Sequence, residues 1–98
     1  MNTKAHARAM LDVLQERYRQ EKLKAEGRFP HTCADNELHN SDKLVILVEE
    51  VGEVSRAIQE LGKFKSMDDF DAKERELRDE ITQCAAICVA WLESFEDA

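Results

Sequence analysis

One eighteen-residue stretch, Leu44–Leu61, constrains the fold more than any other part of the chain. Its sequence is LVILVEEVGEVSRAIQEL, and its apolar residues recur with the period of an α-helix. On a helical projection these side chains form one broad arc, which predicts a helix packed on a hydrophobic core. The residues of the arc are Leu44, Leu47, Val48, Val51, Val54, Ile58 and Leu61.

Three glutamates lie together beside this arc: Glu49, Glu50 and Glu53. Like charges one helical turn apart destabilise a helix by a few tenths of a kcal/mol. Two explanations stay open for such a group. It is either a solvated acidic face, as charge runs usually are, or a site for a divalent cation, because hard cations take carboxylate oxygens as ligands.

The whole chain is predicted to be all-α, with three main helices forming a helical bundle in a single domain of residues 1–98. The helices are expected at about 4–25, 41–62 and 67–95. Between the first two, residues 27–40 have no hydrophobic period and are predicted to form a loop.

Local signals mark the helix ends. Gly27, with Pro30 beyond it, predicts the end of the first helix. Ser41 is predicted to be the N-cap of the second helix. Ser66 and Asp69 have the spacing of a capping box at the start of the third.

The third helix is apolar over most of its circumference in its second half. Its predicted core arc consists of Leu77, Ile81, Cys84, Ile87, Cys88, Trp91, Leu92 and Phe95. Small apolar residues such as Ala85 and Ala90 occupy much of the remaining surface. A helix that is apolar nearly all round is buried on more than one side, so the pattern predicts a homo-oligomer.

Composition limits the partners and the location. The net charge of −7 argues against nucleic acid as a partner, since binding to phosphate backbones depends on Lys and Arg. The three cysteines include no CxxC pair, as expected in a reducing cytosol. The N-terminus has no apolar signal segment, and the apolar run 84–92 is too short for a membrane span. We therefore expect a soluble, cytoplasmic protein with no membrane partner.

Glu80 lies within the apolar arc of the third helix, where an isolated carboxylate is costly. Two explanations compete. Glu80 could pair with a basic residue such as Arg56 or Lys63, or it could face the acids of the second helix and help to coordinate a cation.

Two segments resemble the motifs of the MazG-like, all-α nucleotide pyrophosphohydrolases. VEEVGEVSRAIQE is similar to the EExxE motif of that family, and ERELRDEITQCAAICVAWLESF resembles its second motif, ExxD followed by an apolar helix. The resemblance covers most of the chain. The second motif fits in two registers, Glu76 with Asp79 or Glu80 with Gln83. The hydrophobic phase favours the second register, which has Gln83 where the family has Asp and so loses a negative charge.

The resemblance implies hydrolysis of a nucleoside or deoxynucleoside triphosphate to the monophosphate and pyrophosphate, dependent on Mg²⁺ or Mn²⁺. It implies metal ligands at Glu50, Glu53, Glu80 and Gln83, or at Glu76 and Asp79 in the other register. Glu49 is then a base or an orienting group for the attacking water. Candidates for contacts with the substrate phosphates are Lys63, Lys65, Arg56 and Arg78.

The homo-oligomer predicted from the third helix is expected to be a homodimer or a homotetramer. An alternative is a MazG-like fold with weakened catalysis that serves as a helical dimerisation or regulatory module. The Gln83 departure favours this alternative, whereas the retained Glu49, Glu50 and Glu53 favour the hydrolase.

Overall fold

The computed structural model describes residues 1–96. It contains helices α1 (Thr3–Ala25), α2 (Asn40–Leu61) and α3 (Met67–Glu96), and no strand within those residues. The predicted all-α fold and the three predicted helices are confirmed. Each helix end lies within one residue of its predicted position. No helix in this part of the chain has an apolar stretch long enough to cross a bilayer.

Helix α3 is the centre of the architecture. It packs against both α1 and α2, whereas α1 and α2 make no packing contact with each other in the described chain. Ala86 and Ala90 of α3 are fully buried, and their small side chains allow close approach of the neighbouring segments. Ile87 and the loop residue Cys33 complete the core, and partly buried residues surround it: Ala34, Ile46, Leu47 and Trp91.

Helix α1 ends where the sequence predicts. Gly27 has a φ of +76°, a left-handed conformation that glycine adopts without steric cost. Its N–H donates to the carbonyl of Lys24 at 2.9 Å, and the N–H of Arg28 donates to that of Leu23 at 2.9 Å. These two bonds form a Schellman motif, which satisfies the last carbonyls of the helix.

The predicted N-cap of α2 is wrong. The helix begins at Asn40, so its N-cap is His39, and Ser41 lies inside the first turn. No side chain caps this end. The carbonyl of His39 accepts hydrogen bonds from the N–H groups of Asp42 and Lys43, both at 3.1 Å.

The predicted capping box of α3 is present in a modified form. The Ser66 hydroxyl accepts a hydrogen bond from the Asp69 N–H at 3.1 Å. The Asp69 carboxylate in turn accepts from the N–H of Lys65, at 2.9 Å, one residue earlier than in the usual box.

The predicted core arcs are only partly buried. On α2 the near edge of the arc, with Leu47 and Val54, packs inward, while the residues of the far edge are more than half exposed. Those exposed residues are Leu44, Val48, Val51 and Ile58. On α3, Ile81, Leu92 and Phe95 are likewise more than half exposed, and Cys88 is exposed. Each arc is wider than the surface that one neighbouring helix can cover, so one chain buries only part of it.

The buried side of α1 is mainly polar. Its most buried residue is Arg17, whereas the apolar side chains of Met10, Leu14 and Tyr18 are exposed. The chain as a whole exposes 7124 Å², compared with roughly 5,700 Å² expected for a compact protein of this mass.

Candidate functional site

An acidic cleft of about 320 Å³ lies between α2 and α3. Five carboxylates and one guanidinium line it, so its charge is strongly negative. The lining residues are Glu53, Arg56, Ala57, Glu60, Glu76, Asp79, Glu80 and Gln83. The structure therefore brings part of the EExxE-like segment together with both proposed registers of the second motif.

Glu50 and Glu80 are the two acids of this region with an unsatisfied buried atom. In each, the Oε2 oxygen is buried and has no hydrogen-bond partner among residues 1–96. Leaving a buried acceptor unsatisfied costs about 1–3 kcal/mol. Desolvation by burial, followed by the charge of Glu80, raises the pKa of Glu50. Burial, followed by the charge of Glu53, raises the pKa of Glu80. Neither Glu50 nor Glu80 forms an ion pair with a basic residue among residues 1–96.

The basic residues considered as partners for Glu80 have other partners. Arg56 pairs with Glu53 at 3.7 Å, and Lys63 pairs with Glu60 at 3.9 Å. Both contacts are between exposed side chains one turn apart. The predicted alternative, in which Glu80 pairs with Arg56 or Lys63, is therefore not found in the described chain.

The two registers of the second motif differ in burial. Glu76 and Asp79 are exposed, whereas Glu80 and Gln83 are partly buried on the same cleft wall. Only the Glu80 register includes an unsatisfied carboxylate oxygen among these described residues. A ligand that pairs with this unsatisfied oxygen would therefore have to approach Glu80 rather than Glu76.

Glu16 on α1 is a member of the acidic group that the sequence analysis missed. Its side chain is 13% exposed, and it accepts a hydrogen bond from Arg19 Nε at 2.9 Å. Its charge contributes to the raised pKa of both Glu50 and Glu80. The available signal was helical spacing, because the inward face of α1 carries polar residues at regular intervals: Asp12, Glu16, Arg17, Gln20 and Lys24.

The other predicted site residues lie further from this group. Glu49 is exposed on α2 and is not part of the cleft lining. Arg78 lies in a different groove, between α1 and α3, where it donates to Asp12 at 2.9 Å. Lys63 and Lys65 follow α2 and line neither this groove nor the acidic cleft.

The acidic group fits Mg²⁺ through a small number of direct ligands. No three His, Cys, Asp or Glu side chains in residues 1–96 are arranged as a complete metal site. Mg²⁺ does not need one, because it usually binds one or two carboxylates and keeps several waters or substrate oxygens. The unsatisfied oxygens of Glu50 and Glu80 are carboxylate oxygens, the type of ligand that Mg²⁺ prefers. Mn²⁺ also accepts such oxygen ligands.

A scan against protein-family models, a search of curated proteins and a search of solved structures each found no match. The functional assignment therefore depends on the residues of the site and on their surroundings.

Proposed function

We propose that this protein is a MazG-like nucleotide pyrophosphohydrolase that converts a nucleoside or deoxynucleoside triphosphate to the monophosphate and pyrophosphate with Mg²⁺. The observation that carries this proposal is the pair of unsatisfied, buried carboxylate oxygens of Glu50 and Glu80 on two packed helices. Two acids with raised pKa values and no basic partner need a cation to be stable when ionised. Mg²⁺ satisfies that need and also binds phosphates.

The residues have distinct tasks in this reaction. Glu50 and Glu80 would bind the ion directly, whereas Glu53 and the neutral amide oxygen of Gln83 would bind it through its waters. When bound, Mg²⁺ would polarise phosphoryl oxygens and lower the pKa of a bound water. Glu49, which is exposed on α2 outside the cleft lining of the single chain, would take a proton from the attacking water, whose oxygen bonds to the α-phosphorus. The bond from that phosphorus to the α–β bridging oxygen breaks, and pyrophosphate leaves with the electron pair.

The test is pyrophosphate release from a panel of ribonucleoside and deoxyribonucleoside triphosphates with Mg²⁺ or Mn²⁺. We expect turnover of at least one nucleotide and its abolition in Glu53→Gln, with an unchanged helical circular dichroism spectrum. Glu26→Gln is the matched control, because it makes the same change at an exposed position after α1. Wild-type rates in Glu53→Gln would show that the ligand assignment is wrong.

The functional unit in this proposal is a homodimer or homotetramer. The exposed apolar residues of α2 and α3 and the excess surface of the single chain support a second copy as their partner. Light scattering at micromolar concentration should give a multiple of the 11.3 kDa chain mass. Val48→Glu should lower that mass, because it places a charge in the apolar face. A strictly monomeric wild-type protein would contradict this part of the proposal.

A second candidate function is a catalytically weakened helical dimerisation or regulatory module. Gln83, which lines the acidic cleft and carries no charge, is the observation that favours it. A folded, oligomeric protein that releases pyrophosphate from no nucleotide would support this module and contradict the hydrolase.

A cytoplasmic location completes the proposal. Cys33, Cys84 and Cys88 are free thiols, and burial raises the pKa of Cys33 and Cys84. Thiols with raised pKa values are poorly reactive, which is typical of structural cysteines in a reducing compartment.

A further inference from the structure

A second groove lies between α1 and α3. Its volume is about 630 Å³, within the range of small-molecule sites. Its lining is polar and charged: Arg8, Asp12, Gln15, Glu16, Arg19, Arg75, Arg78, Asp79, Thr82 and Gln83. We call it the arginine groove, after the four guanidiniums contributed by two different helices.

The arginine groove is a positively charged region in a negatively charged protein. Its four arginines exceed its three carboxylates by one charge, while the whole chain carries −7. Arg8 and Arg78 donate to the same carboxylate, Asp12, at 3.1 and 2.9 Å. Arg75 forms no ion pair with any residue in 1–96, although it lines the groove. These guanidiniums therefore keep donors that can bind an anion.

The arginine groove adjoins the acidic cleft. Asp79 and Gln83 line both, so they form the ridge between them. Glu16, on the groove wall, is close enough to Glu50 and Glu80 for its charge to raise the pKa of each. An elongated anion could therefore extend from the acidic group into the arginine groove.

We propose that the arginine groove binds the β- and γ-phosphates of the substrate, so that Arg75 and Arg78 hold the pyrophosphate that leaves. This inference rests on the proposed function and adds the place where the two terminal phosphates of the substrate bind. Guanidiniums suit this task, since their planar forks bind phosphate oxygens in a bidentate manner and remain charged. Of the four basic residues proposed from the sequence, only Arg78 belongs to this groove.

The direct test is a titration of inorganic pyrophosphate into the full-length protein by calorimetry, with EDTA present and at low ionic strength. Wild type should bind saturably at millimolar concentration. Arg75→Ala should weaken binding roughly tenfold, as expected for the loss of one charge-assisted contact, and Arg75→Glu should weaken it further. Arg28→Ala is the matched control, because it removes the same charge from the exposed loop after α1 and should leave affinity within twofold. Arg75 is the chosen position because its removal breaks no ion pair in the described chain.

Kinetics with a triphosphate that the enzyme hydrolyses then separate this inference from the proposed function. Arg75→Ala should raise KM and lower kcat/KM about tenfold, with the circular dichroism spectrum unchanged. Pyrophosphate affinity and kcat/KM that stay within twofold of the Arg28→Ala values would overturn the groove assignment while leaving the hydrolase intact. Loss of pyrophosphate binding in Arg75→Ala, by a protein that hydrolyses no nucleotide, would instead keep the anion site and overturn the hydrolase.

Discussion

Two groups of buried charge lie along α3, and they differ in whether their charges are compensated. The first contains Arg17, Glu21 and Glu93. Arg17 donates to both oxygens of Glu93, at 2.9 and 3.0 Å, and pairs with Glu21 at 2.5 Å. The second contains Glu50 and Glu80, whose buried oxygens have no partner in the described residues.

The pKa values of the two groups shift in opposite ways. Burial alone would raise the pKa of Glu21, but hydrogen bonds from Arg17 and Thr32 lower it. Burial by itself would lower the pKa of Arg17, but the hydrogen bonds and charges of Glu93 and Glu21 raise it. In the second group, burial and neighbouring acids both raise the pKa of Glu50 and Glu80. The charge of Arg17 in the first group is thus paired with two carboxylates, whereas the second group has no basic partner among residues 1–96 and, in our proposal, is stabilised by a cation.

The first group should give the largest effect on folding. Arg17→Ala should lower the free energy of unfolding by about 3 kcal/mol, because it leaves two carboxylates without their partner. Glu93 and Glu21 are about half exposed, which keeps the loss at the lower end of the range for buried pairs. Urea denaturation followed by circular dichroism measures it. Lys22→Ala, at an exposed position on the same helix, is the control and should change stability by less than about 0.5 kcal/mol.

The second group should respond to metal. Mg²⁺ at about one hundred times its Kd should stabilise wild type by about 2.7 kcal/mol, because only the folded state holds both acids together. The double variant Glu50→Gln, Glu80→Gln should lose this gain, and Glu26→Gln should keep it. Thermal melts with and without Mg²⁺ provide the measurement. An equal Mg²⁺ effect in the double variant would mean that the ion binds elsewhere.

The pH dependence of the second group has a definite sign. A raised pKa means that the folded state binds protons more tightly than the unfolded chain. Stability from this group therefore falls as pH rises from the ordinary glutamate pKa of about 4.3 through the raised values.

Without metal, the double variant Glu50→Gln, Glu80→Gln should be more stable than wild type at pH 7.5, by about 1 kcal/mol, or roughly 4–8 °C in Tm. The difference should vanish below about pH 4, where the carboxyl groups are protonated in both states. The comparison is made between proteins at each pH, because the compensated acids Glu21 and Asp35, with lowered pKa values, lose their own stabilisation on acidification. A wild-type protein that is the more stable one at pH 7.5 would show that the two acids are compensated in solution.

The smallest effect is expected from Gln83→Asp, which adds one charge to the cleft wall. Mg²⁺ should then bind several-fold more tightly, and turnover should be equal to or higher than that of wild type. Steady-state kinetics across a Mg²⁺ titration provide the measurement. A sharp loss of turnover would favour the register of Glu76 and Asp79.

Much of the fold follows from local features. The helical period of Leu44–Leu61, the glycine after α1 and the Ser66–Asp69 cap depend on interactions within a few residues, so the sequence predicts them closely. Ser41 was misassigned because the helix begins earlier, at Asn40, with His39 as its N-cap and no side-chain cap. The grouping of Glu53 with Glu80 was expected from the family resemblance, and the cleft contains both.

The residues that the sequence analysis missed are those whose environment depends on a distant segment. Arg17 is buried because Glu93, seventy-six residues later, reaches it. Glu16 joins the acidic group, and Arg8, Arg19 and Arg75 form a groove with Arg78, only because α1 packs on α3. Read along the chain, each of them is an ordinary charged residue on a helix surface.

The sequence by itself determined three helices and their ends, since hydrogen bonds and caps act within a turn or two of the chain. The tertiary structure decided which edge of each apolar arc is covered and which charges are compensated. Each apolar arc is wider than one neighbouring helix can cover, so packing decides which edge of the arc is buried. Whether a buried charge has an opposite charge beside it depends on residues far apart in the chain. For this protein, that selection leaves Glu50 and Glu80 without a basic partner in the described chain.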